Sequence, residues 1–133
     1  MTRFLLIFIL ITPGWVWGEK YLCIADAATG FKFQNGKWAV VSFVAKHKYI
    51  VTSDLENSTV HRFGHSDPMY TVCANKDAEL FCSATSVPGI GAFEMSKNTL
   101  RYMVTYTSRN YIYRLDEFGN GTPFMEIGKC SKL

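Results

Sequence analysis

Carboxylates, histidines and cysteines are the side chains here that could carry chemistry. Two carboxylates facing each other across a cleft can hydrolyse a glycosidic bond, one as acid and the other as base or nucleophile. Most acidic residues, such as Asp54, Asp77 and Asp116, stand in turn-like surroundings where a carboxylate is solvated. Glu94 and Glu126 instead fall inside strand-like runs, between Phe93 and Met95 and between Met125 and Ile127. Neighbours along a strand point to opposite faces, so both glutamates are expected to face water. His61, His65 and Asp67 are ligand types for zinc or copper. Residues four apart on a strand lie about 13 Å apart, so only a turn at Gly64 could gather them. They are read as surface residues, with no metal and no cofactor expected. His47, between Lys46 and Lys48, is expected to be exposed. No Gly-x-Ser-x-Gly elbow supports a serine nucleophile. Gly89-Ile90-Gly91 lacks the third glycine of a phosphate-cradling loop.

The four cysteines, Cys23, Cys73, Cys82 and Cys130, suit two disulfides in a short exported chain. The polar stretch from Ala74 to Glu79 can turn a hairpin, which favours Cys73 with Cys82 and leaves Cys23 with Cys130. A zinc site is disfavoured, because no Cys-x2-Cys pair occurs. With both bridges formed, no thiol remains as a nucleophile.

Export is read from the first eighteen residues. Arg3 precedes the apolar run Phe4 to Ile11, Pro13-Gly14 breaks it, and Gly18 supplies a small residue before Glu19. Residues 1–18 thus read as a signal peptide and 19–133 as a single β domain. The apolar run is shorter than the roughly 20 residues that span a bilayer, although Trp15 and Trp17 would suit an anchor at the interface. No stable membrane insertion is expected after cleavage. Loss of Arg3 lowers the formal net charge of +3 by one, too little and too scattered for a nucleic-acid partner. A hydrophobic share of 48% excludes disorder.

The elements that must hold these residues read as strands. Phe31-Lys32-Phe33 and the run Trp38 to Val44 flank Asn35-Gly36, a strong hairpin signal. Further strands are expected at Tyr21–Ala25, Lys48–Thr52, Thr59–Phe63, Met69–Cys73, Leu80–Cys82, Thr99–Thr107, Asn110–Leu115 and Phe124–Cys130, with Ser86–Gly91 as a loop. A short helical turn is conceivable between Lys97 and Thr107. The fold class is all-β: a small antiparallel barrel or sandwich of about eight to ten short strands.

Tyrosine and arginine, the types enriched at binding hot spots, gather in the C-terminal half. Arg101, Tyr102, Tyr106, Arg109, Tyr111, Tyr113 and Arg114 form the candidate binding surface, for an envelope or extracellular protein or glycan. The plainer alternative is a tyrosine-rich sheet face with arginine stems packed over the rings. Asn57-Ser58-Thr59 and Asn120-Gly121-Thr122 match the glycosylation triplet.

The opening Tyr21 to Phe31, the phrase Phe93 to Tyr102 and the closing Phe124 to Cys130 resemble a group of small exported proteins of Gram-negative bacteria and their phages. That resemblance implies an envelope location and no particular activity. Tyr21-Leu22-Cys23 is also loosely similar to the opening of periplasmic lysozyme inhibitors, small disulfide-bearing β-barrels. The Ser-Gly-x-x-Tyr loop with which those inhibitors fill the enzyme cleft is absent, which argues against inhibition. The expected protein is a periplasmic or secreted, non-catalytic binding protein. The alternatives are an inhibitor of a cell-wall hydrolase such as lysozyme, or a small glycan hydrolase.

Overall fold

In the computed structural model, residues 18–86, 89–108, 112 and 122–133 are described. The strands are β1 (Glu19–Gln34), β2 (Lys37–Phe43), β3 (Lys48–Ser53), β4 (Thr59–Arg62), β5 (Pro68–Tyr70), β6 (Val72–Lys76), β7 (Glu79–Ser86), β8 (Gly89–Ser96), β9 (Arg101–Ser108) and β10 (Phe124–Lys132). They form one antiparallel sheet in the order β5-β4-β3-β1-β10-β9-β8-β7-β6, with β2 pairing the outer half of β1. The nine-strand path curls into a nearly closed barrel, so barrel rather than sandwich is the outcome. At the seam β5 comes up against β7 and β8, and the Tyr70 and Phe93 rings lie 6.3 Å apart.

β1 organises the barrel. Its first half pairs β3 on one side and β10 on the other, and its second half exchanges β3 for β2. A bulge at Asp26 makes this possible: Ala25 pairs Gly128 but Ala27 pairs Ile127. One extra residue reverses which face later side chains occupy. Tyr21, Cys23 and Ala25 are buried before the bulge, and Ala28 lies opposite the buried Glu126 after it. Beyond Gly30, β1 and β2 run on as a two-stranded arm closed by Asn35 and Gly36, with φ of +54° and +76°. These are the left-handed values that the Asn-Gly pair tolerates.

The interior is aromatic. Phe93 stacks on Tyr102 at 5.3 Å, and Tyr49 meets both edge-on at 5.8 and 5.7 Å. Offset and edge-on contacts of this kind add to the gain from burial alone. Val51, Val60, Leu80, Met95 and Val104 complete the core. Both expected disulfides are present, Cys23–Cys130 and Cys73–Cys82, each joining residues directly opposite on paired strands. No cysteine is left free.

Two expectations change. The loop expected over Ser86–Gly91 is largely strand, since β7 reaches Ser86 and β8 begins at Gly89. Glycine serves there for close approach: a Cβ on Gly91 would sit 3.1 Å from the Tyr70 ring. The run Met69–Cys73 divides into β5 and β6 at Thr71, where the chain leaves one edge of the barrel for the other. Residues 97–100 form the expected short turn, with Leu100 N–H donating to the Ser96 carbonyl at 2.9 Å and Leu100 at φ +54°. Asn110–Leu115 lies outside the described residues apart from Ile112, which is exposed.

Candidate functional site

Strand parity assembles the site. On β10, Cys130 must point inward to reach Cys23, so Gly128 and Glu126 share its face. Glu126 is only 1% exposed, while Met125 and Ile127 are 45% and 50% exposed. The expectation that Glu126 faces water is therefore reversed. Tyr49 and Val51 are buried on β3, and His47 precedes them on the same parity. Its side chain is 27% exposed and its Nδ1 lies 2.7 Å from Glu126 Oε2, so the expectation of an exposed His47 also fails. On β4, Arg62 follows Val60 on the inner parity and pairs Tyr49 across the ladder.

The hydrogen bonds fix the imidazole. Arginine only donates, so the 3.5 Å contact from Arg62 Nη2 makes His47 Nε2 an acceptor. The His47 proton then sits on Nδ1 and is donated to Glu126, at a length typical of bonds to a charged acceptor. Tyr102 donates its hydroxyl to the other carboxylate oxygen at 3.2 Å. A buried carboxylate is tolerated only with partners of this kind. The tyrosines feel it in return. Burial first, and the Glu126 charge second, raise the Tyr49 and Tyr102 phenols well above their usual range. Burial pushes Tyr70 up to about 12, with Arg62 opposing the rise and Glu126 adding to it. Gly128 lets the Tyr102 ring lie against β10, since a Cβ there would stand 2.5 Å from the ring and 2.2 Å from the Ile24 carbonyl oxygen.

Two hollows meet at Lys46 and His47. One, of about 350 Å³, is walled by Ala28, Phe43, Val44 and Phe124, with Glu126 and Thr122 also lining it. The other, of about 270 Å³, is lined by Lys46, His47, Lys48, Arg62 and Phe63. Chemically, a carboxylate-oriented imidazole is the base half of a nucleophile-activating triad. Here the nitrogen that would accept the nucleophile's proton faces Arg62 instead.

The expected site residues fare unevenly. Tyr102 is buried and belongs to the inner network, so it leaves the candidate binding surface. Tyr106 is half-buried with its ring 5.9 Å from Phe124, at the margin of the apolar hollow. Arg101 is exposed on the outside of β9. Arg109, Tyr111, Tyr113 and Arg114 lie outside the described residues. His65 and Asp67 line a shallow hollow with Arg62 and Met69, whereas His61 pairs Ile50 on the outer parity of β4. Among the described residues no group of three or more His, Cys, Asp or Glu side chains could hold a metal ion. Of the glycosylation triplets, Asn57 is exposed, while Ser58 is buried and donates to the Asp54 carbonyl at 2.6 Å. Asn120 lies outside the described residues.

Sequence reasoning missed Glu126, His47 and Arg62. The available signal was the parity of each with a residue certain to be inside: Cys130, Tyr49 and Val60. Compared with protein-family models, curated proteins and solved structures, the chain gives no match.

Proposed function

We propose that this chain is an exported, non-catalytic binding protein of the periplasm or the cell exterior, with the hollow beside His47 as its binding place. Two disulfides point to an oxidising setting outside the cytoplasm. No helix among the described residues is long and apolar enough to cross a membrane. The observation carrying the proposal is the 1% exposed Glu126 held by His47 at the edge of an apolar hollow. A concave apolar wall with a few convergent polar groups is the usual form of a ligand site. The two His47 nitrogens are committed to Glu126 and Arg62, which favours binding over turnover.

The test uses immobilised protein exposed to an envelope extract, with mass spectrometry of retained proteins, glycans and small molecules. Val44 and Lys46 are exposed at the hollow, so Val44→Glu and Lys46→Glu should fold normally. The proposal expects species retained by the unaltered chain and lost by both variants. Equal retention would exclude the hollow as the binding place.

The carboxylate–imidazole pair itself favours a second reading, a small glycan hydrolase with His47 as general base. Zymography on peptidoglycan separates the two. Clearing that disappears in His47→Gln supports the hydrolase, while protection of the wall against added lysozyme supports inhibition.

A further inference from the structure

We infer that the site takes a small amphiphilic anion, an apolar body carrying one oxyanion head such as a carboxylate or a phosphate monoester. This deepens the binding reading above and rests on it. The two hollows differ in chemistry and share a rim. Ala28, Phe43, Val44 and Phe124 offer the first hollow no charged group. The second carries three cations, Lys46, Lys48 and Arg62. Lys46 and His47 line both, so a single molecule can place its body in one and its head in the other.

Charge complementarity selects the head. Among the described residues Glu126 is the one carboxylate lining either hollow, and it is already held by His47 and Tyr102. The cations of the second hollow face no such partner in its lining. Arg62 adds a separate sign: its Nε–H is enclosed with no hydrogen-bond partner among the described residues. An enclosed donor without a partner is costly, and a small shift of the Arg62 side chain toward an oxyanion in the hollow would relieve that cost. A guanidinium fork suits carboxylate and phosphate geometry, and two lysines alongside supply point charges. The apolar walls select the body, because an inorganic ion would leave Phe43, Val44 and Phe124 facing water.

Calorimetric titration of the disulfide-intact protein with decanoate, decyl phosphate, decanol and inorganic phosphate tests this. At least one decyl anion should bind saturably and about tenfold more tightly than decanol or inorganic phosphate. The comparison of decanoate with decyl phosphate identifies the preferred head. The double change Lys46→Ala and Lys48→Ala, at two exposed positions, should weaken that binding about tenfold without loss of fold. Equal binding of decanol, equal binding of inorganic phosphate, or no binding of either decyl anion would overturn the inference. If the anions fail while envelope species are still retained through the hollow, only this inference falls. If hollow-dependent retention is missing as well, the binding reading falls with it.

Discussion

Phe93-Glu94-Met95 on β8 and Met125-Glu126-Ile127 on β10 share one pattern, a glutamate between two large apolar residues, yet they face opposite ways. Glu94 is exposed and its neighbours are buried; Glu126 is buried and its neighbours are exposed. Both strands pair β9, and Phe93 and Glu126 both lie opposite Val104, from either side. The same inner row thus receives a phenyl ring from one strand and a carboxylate from the other. Local alternation fixes that neighbours diverge, but not which of them goes inside. On β10 the deciding residue is Cys130, four positions along, and the carboxylate is made tolerable by His47, just before β3, and by Tyr102 on β9.

Truncating the two glutamates should expose this difference most sharply. Glu126→Ala leaves Tyr102 and His47 without their acceptor and should cost about 3–5 kcal/mol in urea unfolding. Glu94→Ala should stay within about 0.5 kcal/mol. Similar losses at the two sites would refute the contrast. Next comes the bond that sets the parity of β10. Replacing Cys23 and Cys130 by serine opens a link across 107 residues and should cost about 4–5 kcal/mol at most, by chain entropy. Opening Cys73–Cys82, across 9 residues, should cost about 2 kcal/mol less on the same argument.

Gly128→Ala tests the fit of Tyr102 against β10 and should destabilise by about 1–3 kcal/mol, seen as a lowered Tm. Alkaline unfolding probes the buried tyrosines. The Tyr70 phenol is raised to about 12 in the fold, while an unfolded tyrosine titrates near 10. The unfolded chain therefore loses its proton first, and stability is intact below pH 10 and falls as pH rises toward 12. The slope should approach about 1.4 kcal/mol per pH unit for this one group. Tyr70→Phe should make the curve less steep in that window by this amount, while the other raised tyrosines keep the remainder of the slope.

Much of the barrel could be read along the chain. Asn35-Gly36 marks its turn because few other pairs accept positive φ twice in succession. Both cysteine pairings follow from the polar turn between Cys73 and Cys82. The alternation of Tyr102 with Val104 was also visible, although Tyr102 then joined the interior rather than a binding surface. The site was harder to see because its members come from the connection before β3 and from β4, β9 and β10. Each of His47, Arg62 and Glu126 looks like an ordinary surface residue until its strand is anchored by a neighbour of known side. The bulge at Asp26 adds a further difficulty: counting by twos along β1 gives the wrong face beyond it.

The placement of β1 between β3 and β10 also bears on the order of assembly. During synthesis β1, β2 and β3 can pair as soon as they emerge, but one edge of β1 stays open until β10 has been made. Closure waits on a contact spanning most of the chain, the kind that slows folding and prolongs exposure of unpaired edges. The Glu126 pocket cannot exist in any shorter intermediate, so any binding proposed for it would require completion of the last strand.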